Sequence, residues 1–105
     1  MHNASDDYEE WELETYLEIA KVINKQFKPH EIDVMVRIYR WTKSERNRFF
    51  FTPICKRIHN YKNAFKKLRS RRLIRVIRGN DPHKVTKDGI RVGRLMILCR
   101  ELGYL

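Results

Sequence analysis

Residues 68–90 read LRSRRLIRVIRGNDPHKVTKDGI, and the order of elements in this stretch decides the fold. Leu73 to Arg78 is rich in β-branched residues and reads as a strand. Gly79-Asn80-Asp81-Pro82 is turn chemistry, and His83-Lys84-Val85 reads as the returning strand. Thr86 has the character of a helix N-cap, with Asp88 in the first turn where a carboxylate complements the helix dipole. Ile90, Val92, Leu95, Met96, Ile97, Leu98, Cys99 and Leu102 then make the last helix apolar around most of its circumference, and Gly103 is placed to end it. Such a helix needs cover on several sides, which a second subunit would supply.

Working toward the N-terminus, Asn60 is a capping candidate, and Tyr61, Ala64, Phe65 and Leu68 share one face of a helix running to about Arg71. The opposite face carries His59, Asn63, Lys66 and Ser70, flanked by Lys62 and Lys67, with no acid among them. A merely solvated helix face usually mixes both signs for i, i+4 support. Thr52-Pro53 predicts the cap and first residue of a short helix whose buried side is Ile54, Cys55 and Ile58. Phe49 to Phe51 predicts a small strand. Pro29 separates two helices. The later one reaches about Trp41 before the polar connector KSERNR. The earlier one, capped by Ser5, covers residues 6–26 with Leu13, Tyr16, Ala20, Ile23 and Phe27 on one stripe. A second apolar set on it, Trp11, Leu17, Ile19 and Val22, implies either two buried faces or a helix laid into a deep groove of its own domain.

Charge is segregated along the chain. The 105 residues carry a net charge of +10, yet every Lys and Arg lies at or beyond Lys21, and seven of the 13 acids precede it. Residues 21–105 set 23 basic side chains against six acids, a net of +17, and no Asp or Glu occurs between Arg46 and Asn80. A segregated basic surface favours polyanions, nucleic acid first. A hydrophobic fraction of 42% supports one compact core, so residues 1–105 are expected to form one domain. The N-terminus is acidic with no apolar segment after Met1, and the longest apolar run, Leu95 to Cys99, is too short to span a bilayer. A soluble, cytoplasmic protein is expected, in the host cytoplasm if the chain is viral, and associated with the nucleoid.

Cys55 and Cys99 form no CxxC pair, and His2, His30, His59 and His83 lack ligand spacing, so no metal site is expected. Both thiols read as small buried apolar groups; a Cys99 disulfide between subunits is the alternative. There is no nucleophile–base constellation and no glycine-rich phosphate loop, which argues against an enzyme and against a cofactor.

The element order is that of a winged helix-turn-helix. Leu68-Arg-Ser-Arg-Arg-Leu73-Ile74-Arg75, a short wing, and Val85-Thr86-Lys-Asp-Gly89 resemble the MarR/PadR-like family of DNA-binding regulators, and the chain is similar to small winged-helix proteins of archaea and their viruses. The local match covers roughly Thr52 to Leu95. Arg72 stands where that family usually has glycine, the helix at Thr52 is shorter than usual, and the wing lacks the family's Asp-x-Arg pattern.

The resemblance implies a mainly α fold with a small β-wing: helix-turn-helix and wing at 52–86, with flanking dimerisation helices at 5–27 and 87–103. It implies a homodimeric regulator of double-stranded DNA with a recognition helix at 60–71 in the major groove. The expected DNA contacts are Thr52, Lys56, His59, Asn60, Lys62, Asn63, Lys66, Lys67, Ser70 and Arg71, with Arg75, Arg78, His83 and Lys84 in the wing. Asn63 is the first candidate for base readout, since an amide can bond adenine twice. For any one lysine, a phosphate contact is the more frequent case. Thr52 would bring free helix amides to a phosphate, with a plain helix cap as the alternative. Asp81 is read as a turn former. Leu68, Leu73, Val85 and either Val76 or Ile77 would hold the stretch to the core. The dimer interface is expected at Trp11, Leu17, Leu95, Leu98, Cys99 and Leu102, and no small-molecule effector is expected. Two other readings remain: a sequence-independent DNA or RNA binder, and a protein-interaction module in a larger assembly.

Overall fold

A helix with buried residues around most of its circumference must sit inside the molecule, and α2 (Pro29–Glu45) is such a helix. Ile32, Val34, Met35, Val36, Ile38 and Tyr39 on it are all buried. The computed structural model describes residues 13–79 and 81–105, and the remaining elements pack around α2. Helices α3 (Tyr61–Ser70) and α4 (Lys87–Glu101) lie directly on it, while α1 (Leu13–Gln26) packs against α4. Strands β1 (Phe49–Phe50), β2 (Ile74–Val76) and β3 (His83–Val85) form an antiparallel sheet in the order β1-β3-β2. The architecture is therefore α+β, mainly helical with one small sheet. No helix among the described residues is long and apolar enough to cross a membrane.

Strand alternation sorts the sheet into two faces. Arg75 and Phe49 both stand opposite Lys84 in the register, and these three share the outer face. Phe50, Ile74, His83 and Val85 face the core and are buried. Val76 and Ile77, one of which was expected in the core, are 38% and 41% exposed, because strand β2 ends at Val76 rather than Arg78 and runs off the edge of the helical layer.

Several helix ends differ from the sequence expectation. Helix α2 continues past Trp41 through Lys43-Ser44-Glu45, whose side chains are exposed. Its apolar period lapses there because that turn meets solvent, and the helix stops where Arg46 turns left-handed at φ 51°. Its start is held by the Lys28 N–H, which donates to Glu31 Oε1 at 2.8 Å. Thr52 does not cap a helix: Phe51 precedes a single 3₁₀ turn, Thr52–Cys55, and Thr52 is its first residue. The expected cap at Ser5, with the first turns of that first helix, falls outside the described residues.

The end of α3 and the start of α4 are built together. The Leu73 N–H reaches back to the Leu68 carbonyl at 3.0 Å, and the Arg72 N–H to the Arg69 carbonyl at 2.9 Å, with Arg72 left-handed at φ 59°. This is the two-bond Schellman cap, with arginine in the position that favours glycine. Thr86 caps α4 as expected, its hydroxyl accepting from the Gly89 N–H at 3.0 Å. The same hydroxyl donates to the Arg72 carbonyl at 2.7 Å, with the Leu73 carbonyl at 3.1 Å, and the Thr86 N–H donates to Leu73 at 3.0 Å.

Two residues assigned to a dimer interface lie inside the subunit. Leu98 is 2% exposed and Cys99 is fully buried, its Sγ donating to the Tyr16 carbonyl at 3.5 Å. Helix α4 is covered by α1 and α2 of its own chain, so its apolar circumference needs less external cover than expected. Burial pushes the Cys55 thiol up to about 12 and raises that of Cys99, so neither is a thiolate at neutral pH. A Cys99 disulfide between subunits would require unpacking α1. Trp11 lies outside the described residues, and Leu17 is 39% exposed on α1.

Two substitutions at the α3–α4 joint should act with opposite sign. A Cβ at Gly89 would stand 2.0 Å from the Leu73 carbonyl oxygen and 2.8 Å from Val85 Cγ1, so Gly89→Ala should destabilise by about 1–3 kcal/mol or more. Arg72→Gly removes the left-handed penalty while loosening the unfolded chain, for a net gain of roughly 0.5–1 kcal/mol. Urea denaturation midpoints of the two variants measure both.

Candidate nucleic-acid interface

Helix α3 forms because Tyr61, Ala64, Phe65 and Leu68 bury one side against α2 and the sheet, which leaves the other side to solvent. Lys62 and Lys66 sit four apart on that side, with Arg69 three further on, so all three line one edge of the helix. They face a cleft of about 490 Å³ between α3 and the β2–β3 hairpin, whose walls also include Thr52, Tyr61 and Val76. Among the described residues, no carboxylate lines it.

His83 ties the hairpin to α3 from below. Its ring is stacked on Phe50 and Phe65, with centroids at 5.4 and 5.5 Å, and is fully buried. Arg69 lies 3.2 Å from Nε2, and Nδ1 contacts the Asp81 carbonyl. A guanidinium can only donate, so Nε2 accepts and Nδ1 carries the proton given to Asp81. His83 was expected to face DNA; strand parity instead places it on the core face with Ile74 and Val85.

Asp81 is the second tie. One of its carboxylate oxygens accepts from both the Thr52 N–H and the Thr52 hydroxyl, each at 2.7 Å. The amide and hydroxyl expected to hold a phosphate are therefore occupied by an anion of the chain itself. Asp81 is more than a turn former, and its charge is directed at Thr52. The bond from the Thr52 amide, then that from its hydroxyl, holds the Asp81 carboxyl below its ordinary range.

The remaining predicted contacts divide by location. Lys56, His59, Lys62, Asn63, Lys66, Arg75 and Arg78 are exposed to differing degrees along the open side of α3 and the hairpin. Asn60 sits at the start of α3 with φ 63°; its side chain caps no backbone amide and accepts from the Asn63 amide at 2.6 Å. Ser70 donates to the Lys67 carbonyl at 2.7 Å. Lys67 lies over the Phe27 ring at 5.8 Å, and Arg71, expected to be free for phosphate, donates to Gln26, so both lean toward α1. Lys84 stands 5.3 Å from the Phe49 ring centre and directly opposite Arg75. Like charges paired across strands repel, and an anion laid over the outer sheet face would relieve that repulsion.

Arg69 and Tyr61 were missed as cleft residues, although the 62-66-69 spacing would have found the arginine. A second cationic surface was missed entirely: Arg48, Lys87, Arg91 and Arg94 line a groove along α4. Their signal was the lysine and arginine spacing within a helix read only for its apolar residues. Among the described residues, no three His, Cys, Asp or Glu side chains converge as a metal site. Comparison with family models, with curated proteins and with solved structures found no match to this chain.

The Asp81 tie sets a pH signature. A carboxyl lowered in the folded state stabilises fully above its unfolded value of about 3.9 and loses that contribution as pH falls toward the folded value. Asp81→Asn should cost on the order of 1 kcal/mol at pH 7, kept small by solvent screening. Denaturation midpoints of the two proteins should converge below about pH 4.

Proposed function

We propose that this chain is a winged helix-turn-helix protein of the MarR/PadR-like type, binding double-stranded DNA as a homodimer and acting as a transcriptional regulator. In this reading α3 is the recognition helix and the β2–β3 hairpin is the wing. The observation that carries it is the acid-free cleft beside Lys62, Lys66 and Arg69, bordered by a hairpin that opposes Arg75 to Lys84. An α-helix fits the major groove, and a basic hairpin beside it follows the phosphates.

The phosphate contacts are assigned to Lys56, Lys62, Lys66, Arg75, Arg78 and Lys84, with His59 at the margin. His83, Thr52, Ser70 and Arg71 drop out of the contact set because their donors are engaged within the chain. The dimer interface is assigned to the apolar groove of about 430 Å³ between α1 and α4, where Ile19, Val22, Val92 and Leu95 meet. Leu13, Leu17 and Val22 are exposed around it, and Leu102 is half-buried at the end of α4. To read two half-sites, two subunits joined there would have to hold their α3 helices one DNA turn apart, about 34 Å.

One observation favours a second reading, sequence-independent coating of nucleic acid. The Asn63 amide is engaged by Asn60, so base readout by Asn63 needs that bond to open. Competition separates the two, since a specific complex survives excess random duplex and a coating complex does not.

Salt titration tests the common core of both readings. With about 6–10 phosphates neutralised, log K against log salt should have a slope of about −5 to −9. Lys62→Ala with Lys66→Ala should reduce that slope by about 2. A slope near zero for the unaltered protein would refute nucleic-acid binding.

A further inference from the structure

The outer face of the sheet holds large apolar side chains in the open. Phe49 is 46% exposed and Phe51 58%, although Phe50 between them is buried. Phe51 is still extended, at φ −111° and ψ 146°. Alternation therefore sets it on the same side as Phe49, about 6.8 Å further along the strand. The register runs Phe49, Lys84 and Arg75 across all three strands. The Ile77 N–H donates to the Pro82 carbonyl at 2.9 Å, which carries the ladder one step past β2 and sets exposed Ile77 beyond Arg75 on this face. Lys84 stands over the Phe49 ring at 5.3 Å, so a phosphate beside that ring has a cation within reach. Among the described residues no carboxylate pairs with Arg75 or Lys84. Asp81 is committed to Thr52, which lines the cleft on the other side of the hairpin.

Rings left in water add little to the core, and cations set among them are costly to bury against an apolar partner. A duplex meets the cations and leaves the rings uncovered, because its stacked bases hide their faces. A single strand answers both features: its bases have free π-faces for the rings, and its phosphates suit Arg75 and Lys84. We propose that this face is a binding platform for single-stranded nucleic acid, with one base stacked on Phe49, another on Phe51, and the backbone held by Lys84 and Arg75. The ring spacing is about twice the 3.4 Å rise per nucleotide of a duplex strand, so the bound segment is stretched and unstacked. The inference does not rest on duplex binding by α3, although Arg75 and Lys84 would serve in both.

Fluorescence anisotropy of a labelled oligothymidylate of about 12 nucleotides, beside a labelled mixed-sequence duplex, tests it. The oligothymidylate should bind, and Phe49→Ala and Phe51→Ala should each weaken it roughly 5- to 100-fold while duplex affinity holds. Phe51→Leu keeps the apolar bulk without a π-face and should lose affinity as the alanine variant does. Phe51→Trp keeps a ring and should retain binding, its added emission quenched by the bound strand. No binding of the oligothymidylate, or binding indifferent to both alanine substitutions, overturns the proposal. An equal loss of duplex affinity also overturns it, since the rings then serve the fold or the duplex. Competition by polyglutamate at equal charge would show that the cations alone are used, and a dimer that dissociates on Phe51→Ala would give the face to a second copy; either result sinks the platform. Single-strand binding that needs both rings upholds it even where the duplex fails to bind, whereas duplex binding alone upholds only the duplex reading.

Discussion

The Leu73 carbonyl is the point on which the rest of the arrangement depends. It accepts from the Thr86 N–H and shares the Thr86 hydroxyl proton with Arg72, while Gly89 passes so close that a methyl group would overlap it. Three elements meet there: the Schellman end of α3, the first residue of the hairpin and the cap of α4. None of them can shift alone. The orientation of α3 toward the hairpin is thus fixed by backbone hydrogen bonds at one end and by the buried His83 at the other, where Arg69, Phe50 and Phe65 enclose the ring. A cleft built this way presents its lysines from a rigid frame, which is the condition for binding an extended polyanion without a large ordering cost.

Charge in this molecule is used in two different ways. Some cations hold the structure: Arg69 on His83, Arg71 on Gln26, Lys67 over Phe27 and Arg100 with Asp33. Others stand in the open, as Lys62, Lys66, Arg75 and Arg78 do. Asp81, bonded to the cleft residue Thr52, belongs to the first kind, because both of its bonds to Thr52 turn its charge inward. The high net charge of the basic half therefore overstates how much of it can meet a partner. Among the described residues no carboxylate offsets the opposition of Arg75 to Lys84, which the Phe49 ring beside Lys84 relieves only in part.

Much of this was legible in the sequence, for reasons that can be stated. Long amphipathic helices, the Thr86 cap and the β2–β3 turn carry local signals that tertiary structure did not override. The errors came where residue type was read ahead of position. His83 looked like a wing contact because histidine is polar, yet alternation from Val85 puts it on the core face. Leu98 and Cys99 looked like an interface because α4 has more apolar surface than one core side needs, and α1 and α2 cover that surface together. Lys43-Ser44-Glu45 looked like a connector because nothing apolar marks it, but an exposed helical turn requires no apolar residue. The Asp81–Thr52 bonds join positions 29 apart, a separation at which no local pattern gives a signal. The acid-free run that defines the candidate cleft was visible from composition, whereas the α4 groove needed Arg48 to be brought beside Lys87 and Arg91 by the fold.

Arginine at position 72 shows how one residue can answer two demands. A left-handed backbone disfavours any side chain, and glycine would relieve it. The last turn of α3 and its cap nonetheless hold Lys67, Arg69, Arg71 and Arg72 in close succession. The carbonyl end of a helix is negative, so cations there are stabilising by some tenths of a kcal/mol each, which offsets part of the strain at Arg72. Part of the basicity of LRSRRLIR is thus explained by the helix terminus itself, with no partner needed. That explanation does not extend to Lys62 and Lys66. Lys62 lies in the first turn of α3, the positive end of the helix, where a cation is unfavourable and a bound anion would be favoured, and Lys66 follows one turn later, short of the negative last turn. The position of Lys62 against the dipole, rather than the overall charge, is the stronger physical reason to look for a polyanion at this cleft.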